Sequence, residues 1–132
     1  MNTYSFEIND ETNLVIVLAQ IDGYEVRLAL DTGASNTVID LTALMIAGYR
    51  KGDVVRETEL ETAKGIVEAD IYEVEALETL GLLKSNFPVC SYDFLSNNIL
   101  TDIDGVLGID FFMGKKVCID FAKFEITVHN EG

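Results

Sequence analysis

The order of apolar and polar residues along this chain is mostly that of β-strands. Two segments, NLVIVLAQ (13–20) and YEVRLAL (24–30), are rich in β-branched and aliphatic residues. The Asp22-Gly23 pair between them is a strong signal for a tight hairpin turn. We therefore predict a β-hairpin over residues 13–30.

Further strands follow, separated by short turns. Between Val54 and Val74 apolar and polar residues alternate, which predicts two half-buried strands joined at residues 63–65. Pro88, the single proline, suits a strand start or a sheet edge. The remaining predicted strands lie in FPVCSYDFL (87–95), in GVLGIDFF (105–112), which turns into a short helix, and in a final hairpin of KKVCIDF and KFEITVH.

The pattern predicts short helices only. Asp40 is placed to cap a helix through LTALMIAG that ends at Gly48. Asp110, in GIDFF, is interpreted as the N-cap of the second short helix. No linker or low-complexity segment divides the chain. We predict a single all-β domain over residues 1–132, a small closed β-barrel with one or two short helices.

The charge balance excludes several kinds of partner. The chain has 23 acidic and 9 basic residues and a formal net charge of −14. Such a charge repels nucleic acid and anionic membranes, so we expect neither as a partner. A peptide partner is expected to be neutral or basic. No signal peptide and no apolar run of membrane length are visible, and a cytoplasmic location is expected.

The cysteines and the histidine make several reaction classes improbable. Cys90 and Cys118 lie in apolar, strand-like contexts without the close spacing of a metal or redox pair, and we expect buried, reduced thiols. His129 has no companion for a metal site or for a Ser/His or Cys/His nucleophile. We expect neither a metal nor a cofactor.

The stretch VRLALDTGASNTVID (26–40) contains the candidate chemistry. An apolar strand ends on the carboxylate of Asp31, and Thr-Gly-Ala-Ser follows at once. The triplet alone is a weak signal, because an Asx-type turn with Gly33 at a positive φ has the same sequence. The context is more specific. A second apolar run follows, and far downstream Val106-Leu107-Gly108 leads into a short helix.

The combination of LDTGAS with DGVLGIDFF resembles the retropepsin-like aspartic proteases, the single-domain relatives of pepsin. VLGIDFF…VCIDF…FEITV is especially similar to bacterial members. The match covers roughly Leu14 to Val128 in the order of the family. The resemblance implies that Asp31 is the catalytic aspartate. It also implies that Ala63-Lys64-Gly65 lies at or near the tip of the flap, the hairpin that closes over the substrate, and that Ile66 belongs to the same substrate-binding segment.

The resemblance assigns roles to the neighbours of Asp31 as well. Thr32 would hydrogen-bond across a dimer axis, with a plain turn threonine as the alternative. Gly33 lets the backbone approach the catalytic pair, and its N–H can bond a carboxylate; Ala34 and Ser35 complete the loop. Leu107 and Gly108 would support this loop from behind, although Gly108 is also explained as a simple strand-to-helix turn.

Aspartic proteolysis requires two close carboxylates that share one proton. The sequence has one Asp-Thr-Gly, and no Thr-Gly or Ser-Gly follows the other apolar-flanked acids, Asp102, Asp104, Asp110 and Asp120. We therefore expect a homodimer that joins two Asp31 carboxylates and hydrolyses a peptide or protein substrate. Side-chain pockets are expected from apolar residues such as Ile66, Val67 or Leu107.

Two other functions remain open at this point. One is a non-catalytic dimer of the same fold that binds peptides or partner proteins. The candidate flap supports this alternative, because it has one glycine and a charged Lys64 where the retroviral flap is glycine-rich. The other is a β-barrel ligand binder in which Asp31 is only a turn residue.

Overall fold

The computed structural model describes residues 2–62, 65–97 and 101–129, and these residues are mostly β. One α-helix, α1, and two 3-10 helices, Lys51–Asp53 and Ile109–Phe111, accompany the strands described. In chain order, strands and helix are β1 (Asn2–Ser5), β2 (Glu7–Ile8), β3 (Val15–Ile21), β4 (Tyr24–Leu30), β5 (Val38–Asp40), α1 (Leu41–Ile46), β6 (Val54–Thr62), β7 (Gly65–Thr79), β8 (Leu82–Tyr92), β9 (Gly105–Leu107), β10 (Lys116–Asp120) and β11 (Glu125–His129).

The strands form two sheets. The larger one has eight strands in the order β2-β3-β4-β9-β5-β8-β7-β6, and β3 also pairs with β7 at Gln20–Glu78 and Ile21–Leu77. The smaller one has three strands in the order β1-β11-β10. Within the larger sheet β9 pairs in parallel with β4, with Leu30 opposite Leu107. This pairing brings together two segments that are more than seventy positions apart in the sequence.

The core follows from the alternation of side chains along the strands. In β3, Val17, Ala19 and Ile21 are buried, whereas Leu18 and Gln20 between them are exposed. The inward-facing residues of the other strands join one hydrophobic cluster, and Phe111 of the second 3-10 helix is its largest fully buried side chain. Among the helices of the described ranges, none has the length and apolar character needed to cross a membrane.

The predicted N-terminal hairpin is confirmed. Asp22 and Gly23 both have positive φ, 50° and 88°, as a two-residue turn of this kind requires. The Asp22 carboxylate also accepts hydrogen bonds from the Tyr49 hydroxyl at 2.5 Å and from the Ala76 N–H at 2.9 Å. The turn therefore connects β3 to β4 and is also held to β7 by the bond from Ala76 to Asp22.

The predicted strand at residues 87–95 has wrong limits. β8 begins at Leu82, because a second tight turn lies at Leu80-Gly81, where φ is 53° and 73°. Leucine is unusual at a positive φ, so the sequence carries no clear turn signal there. Pro88 consequently lies inside β8, opposite Glu73. On the other side of β8, strand β5 pairs only with residues Cys90 to Tyr92. Pro88 therefore lies beyond the end of β5 on that side, which fits the predicted edge environment.

Two predictions about caps and one about burial also differ from the structure. α1 follows Asp40 as expected, but the Asp40 carboxylate accepts the Phe94 N–H at 3.1 Å and does not cap the helix. Gly108, and not Asp110, occupies the N-cap position of the second 3-10 helix. Cys90 is buried, but Cys118 is exposed, because it alternates in β10 with the inward-facing Val117 and Ile119.

Candidate active site

Asp31 is the first residue after β4, where the chain leaves the sheet. Its N–H donates to the Leu107 carbonyl at 3.0 Å, which continues the pairing of β4 with β9 by one step. Its side chain is exposed, and carboxylate oxygen Oδ1 accepts the Gly33 N–H at 2.8 Å. The strand pair thus holds the backbone of Asp31, and the following turn orients its carboxylate.

Residues 31–37, which we call the Asp31 loop, form a compact turn. The Ala34 N–H donates to the Asp31 carbonyl at 3.1 Å, and the Ala34 carbonyl accepts the Ile109 N–H at 2.9 Å. The bond from the Gly33 N–H to Asp31 Oδ1 is the Asx-type turn of the non-catalytic alternative, but Gly33 lacks the positive φ expected with it. A Cβ at Gly33 would lie 3.1 Å from Asp31 Oδ1, and glycine therefore leaves room for the carboxylate.

Gly108 lies directly behind the Asp31 loop. A Cβ at this position would lie 2.7 Å from the Asn36 carbonyl carbon and 2.8 Å from the Ala34 carbonyl oxygen, closer than such atoms approach in proteins. The neighbouring Leu107 is fully buried in the core. The expectation that Leu107 lines a pocket is therefore wrong, and Val106 faces the cleft in its place because successive strand residues point to opposite sides.

A cleft of about 880 Å³ opens above Asp31. One wall is the Asp31 loop and the other is the end of β6, the strand that leads to residues 63 and 64. Apolar side chains form much of the remaining surface. The lining residues are Asp31, Gly33, Ala34, Ser35, Asn36, Val38, Glu59, Leu60, Glu61, Thr62, Tyr92, Phe94, Ile103 and Val106.

The residues predicted for the flap are only partly described. Ala63 and Lys64 lie outside the described residues. Gly65 and Ile66 begin β7, paired with Thr62 and Glu61 of β6, and the Ile66 side chain is 69% exposed. Of this strand pair, the end of β6 lines the cleft, through residues that include Glu61 and Thr62. Thr32 is exposed, and its hydroxyl has no hydrogen-bond partner in the described part of the chain.

A partly buried contact beside the site has no local signal in the sequence. The Thr37 N–H and hydroxyl donate to the two carboxylate oxygens of Asp110, at 3.0 and 2.7 Å. The Thr37 hydroxyl in turn accepts the Gly108 N–H at 3.1 Å. The cleft-lining Tyr92, Phe94, Glu59 and Glu61 were also not predicted, since no local pattern distinguishes them from other strand residues.

Comparison with known proteins identifies the family of this chain. The family model described as aspartyl protease matches residues 17–111, which include the Asp31 loop, β6 and β7, and the segment around Gly108. This chain belongs to the aspartyl protease family. The predicted resemblance to its retropepsin-like members is confirmed by the same match together with the structural likeness described next.

This chain has a similar solved structure and a longer relative. A retropepsin-like aspartic protease from Rickettsia conorii superposes with a TM-score of 0.69, over 94% of this chain and 87% of that one, at 18% sequence identity. At that identity the likeness concerns the fold alone. DNA damage-inducible protein 1 of Eremothecium gossypii is 24% identical over 121 residues, which are 91% of this chain and 24% of that protein. The chain thus spans about a quarter of the length of that relative.

Proposed function

We propose that this protein is a homodimeric aspartic endopeptidase in which a water molecule is activated between two Asp31 carboxylates, one from each subunit. The observation that carries the proposal is the position of Asp31. In a chain of the aspartyl protease family, an exposed carboxylate lines a cleft of about 880 Å³ and is oriented by the Gly33 N–H at 2.8 Å.

The need for a second subunit follows from the chemistry. One carboxylate has to accept a proton from water while the other donates one to the peptide carbonyl and then to the leaving amine. Besides Asp31, the acids that line the cleft in the described part of the chain are Glu59 and Glu61, both on the opposite wall in β6. A twofold axis at the Asp31 loop supplies the second carboxylate from a copy of the chain.

The surface around Asp31 supports this assembly. Thr32, at the tip of the loop, exposes a hydroxyl that a symmetry mate would satisfy. Ile109, whose N–H is bonded to the loop, is 40% exposed. Apolar and hydrogen-bonding groups left open beside an incomplete site favour burial against a second copy.

The fold supports an extended substrate. The pairing of β3 with β7 joins the two sides of the larger sheet, and we propose that the fold is a small closed β-barrel. A peptide in the cleft would pair its backbone with the β6–β7 hairpin on one side and the Asp31 loop on the other. Val38, Tyr92 and Phe94 supply apolar surface for its side chains.

Replacing Asp31 by asparagine tests the proposal. Asp31→Asn should lower cleavage of a peptide library at acidic pH by at least about 100-fold, because asparagine cannot exchange the proton. Its melting temperature and its sedimentation as a species of twice the 14.6 kDa chain mass should not change. Asp120→Asn is the matched control and should cleave normally, because Asp120 ends β10 and its carboxylate accepts the Ala122 and Lys123 N–H groups of the following turn, away from the cleft.

Two results would contradict this function. A chain that stays monomeric at every accessible concentration would remove the shared active site. Peptide binding without turnover in the wild-type dimer would favour the non-catalytic binding module instead.

A further inference from the structure

Asp110 makes a two-bond side-chain contact close to the candidate site. Both of its carboxylate oxygens accept hydrogen bonds from one residue, Thr37, through the backbone N–H at 3.0 Å and the hydroxyl at 2.7 Å. Thr37 is fully buried and is the last residue of the Asp31 loop. The contact joins positions that are 73 residues apart in the sequence.

The contact belongs to a set of bonds between the Asp31 loop and residues 107–110. The others are Asp31 N–H to Leu107 carbonyl, Ile109 N–H to Ala34 carbonyl, and Gly108 N–H to Thr37 hydroxyl. The bonds between main-chain groups depend on the fold as a whole. Those of the Asp110 carboxylate and the Thr37 hydroxyl depend on two particular side chains, and a substitution can remove them selectively.

A carboxylate suits this position better than any neutral group. Thr37 presents two donors, and an ionised carboxylate accepts both without presenting a proton of its own. The hydroxyl proton is committed to Asp110, so the lone pairs of the same oxygen are free to accept the Gly108 N–H. Asparagine has the same shape but carries an NH₂ group, and it would leave one buried donor without an acceptor.

We propose that Asp110 is a positioning residue for Asp31. Its carboxylate fixes Thr37 at one end of the loop and, through the Thr37 hydroxyl, fixes Gly108 beside the other end, where Leu107 holds the Asp31 backbone. This proposal rests on the proposed function, because the position of Asp31 affects turnover only if Asp31 is catalytic. A displacement of about 1 Å in such a site can lower the rate about 100-fold.

The test uses four variants of the full chain with the wild type as reference. Asp110→Asn and Thr37→Val each remove part of the contact, and the double variant removes both partners. Thr37→Ser keeps the hydroxyl and is the conservative rescue. For each protein we would measure kcat and KM on one peptide, the melting temperature, and the hydrogen exchange of the Asp31, Gly108 and Ile109 amides.

The proposal expects kcat to fall about tenfold to 100-fold in Asp110→Asn and in Thr37→Val, with KM changing less than about threefold. The double variant should lose no more than either single variant, because the two residues act as one unit. Thr37→Ser should keep most of the activity. Exchange of the Gly108 and Ile109 amides should become at least about tenfold faster, while the β3–β4 amides stay protected.

A merely structural Asp110 gives a different result. The melting temperature would then fall while kcat per folded dimer stays at the wild-type value, and this outcome overturns the proposal. Additive losses in the double variant would overturn it too. If the wild type cleaves no peptide, the proposed function fails, and hydrogen exchange decides alone whether Asp110 holds the loop: unchanged exchange at Gly108 and Ile109 would refute it.

Discussion

The two cysteines occupy opposite environments although their sequence contexts are alike. Cys90 is buried in β8, where burial, followed by repulsion from the Asp110 charge, raises the pKa of its thiol. Arg56 acts in the opposite direction as a smaller cause. Cys118 is exposed on β10, with its Sγ 3.8 Å from His129 Nε2. A thiol must be accessible to react, and of the two cysteines only Cys118 is exposed.

We therefore expect a thiol titration to distinguish the two residues. With an aromatic disulfide reagent at pH 8, one thiol per chain should react rapidly in the native protein, and the second should react only after denaturation. Cys118→Ser should remove the rapid phase and leave the slow one. If both thiols react rapidly in the native wild type, Cys90 is accessible to the reagent and the prediction is wrong.

Tyr49 connects three elements of the fold. Its hydroxyl donates to the Asp22 carboxylate at 2.5 Å and accepts the Glu75 N–H at 2.8 Å. It thereby ties the segment after α1 to the β3–β4 turn and to β7. Burial first, and then the hydrogen bond to Asp22, raises the pKa of Tyr49 from its ordinary value of 10.0 to about 12.

Removing this hydroxyl should destabilise the protein in a pH-dependent way. Tyr49→Phe should lower the free energy of unfolding by roughly 1–2 kcal/mol near neutral pH, since the Asp22 and Glu75 groups lose a partner. As the pH rises, Tyr49 loses its proton at a higher pH in the folded chain than in the unfolded chain. The advantage of the wild type is therefore complete below pH 10.0 and declines as the pH rises from there toward about 12.

Urea unfolding of wild type and Tyr49→Phe at several pH values from 7 to 12 would measure this difference. Tyr24→Phe is the matched control, because Tyr24 is half exposed and its hydroxyl forms no hydrogen bond in the described part of the chain. If the difference in the free energy of unfolding between wild type and Tyr49→Phe grows as the pH rises, the Tyr49 hydroxyl does not form these hydrogen bonds.

At the scale of the whole molecule, charge is distributed unevenly around the cleft. The charged residues that line it, among those described, are the acids Asp31, Glu59 and Glu61. A smaller cavity of about 400 Å³ beside it shares Tyr92 and is also lined by acids, namely Glu57, Glu68, Asp70 and Asp93. With a net charge of −14 on each chain, the surrounding field disfavours anionic ligands.

This distribution predicts a preference for basic substrates. Peptides with Lys or Arg near the scissile bond should show a higher kcat/KM than matched peptides with Asp or Glu. The difference should shrink between 0.01 and 1 M salt, as the Debye length falls from about 30 to about 3 Å. Glu59→Gln and Glu61→Gln should each reduce the preference, whereas Glu11→Gln, an exposed acid that does not line the cleft, should not. A preference that is independent of salt and of these variants would contradict a Coulombic origin.

The sequence by itself determined the features that depend on near neighbours. Richness in β-branched and aliphatic residues located β3 and β4. Alternation of apolar and polar residues located β6 and the first part of β7, because a strand with one buried face has a period of two. Asp22-Gly23 located a turn because few residues adopt its backbone conformation. The local context, a carboxylate at the end of an apolar strand followed by Thr-Gly-Ala-Ser, drew attention to Asp31. Its combination with DGVLGIDFF and the family resemblance that this combination carries made Asp31 the candidate catalytic residue.

Only the tertiary structure decided which distant groups meet. The parallel pairing of β9 with β4 brings Gly108 behind the Asp31 loop and Asp110 to Thr37. Within GIDFF alone, Asp110 is indistinguishable from a helix cap, because a cap and a long-range acceptor use the same carboxylate. Leu80 adopts a turn conformation that its side chain disfavours, held by its burial between β7 and β8. Such outcomes depend on the order of strands in the sheet, and sheet order is set by packing over the whole chain and not by neighbouring residues.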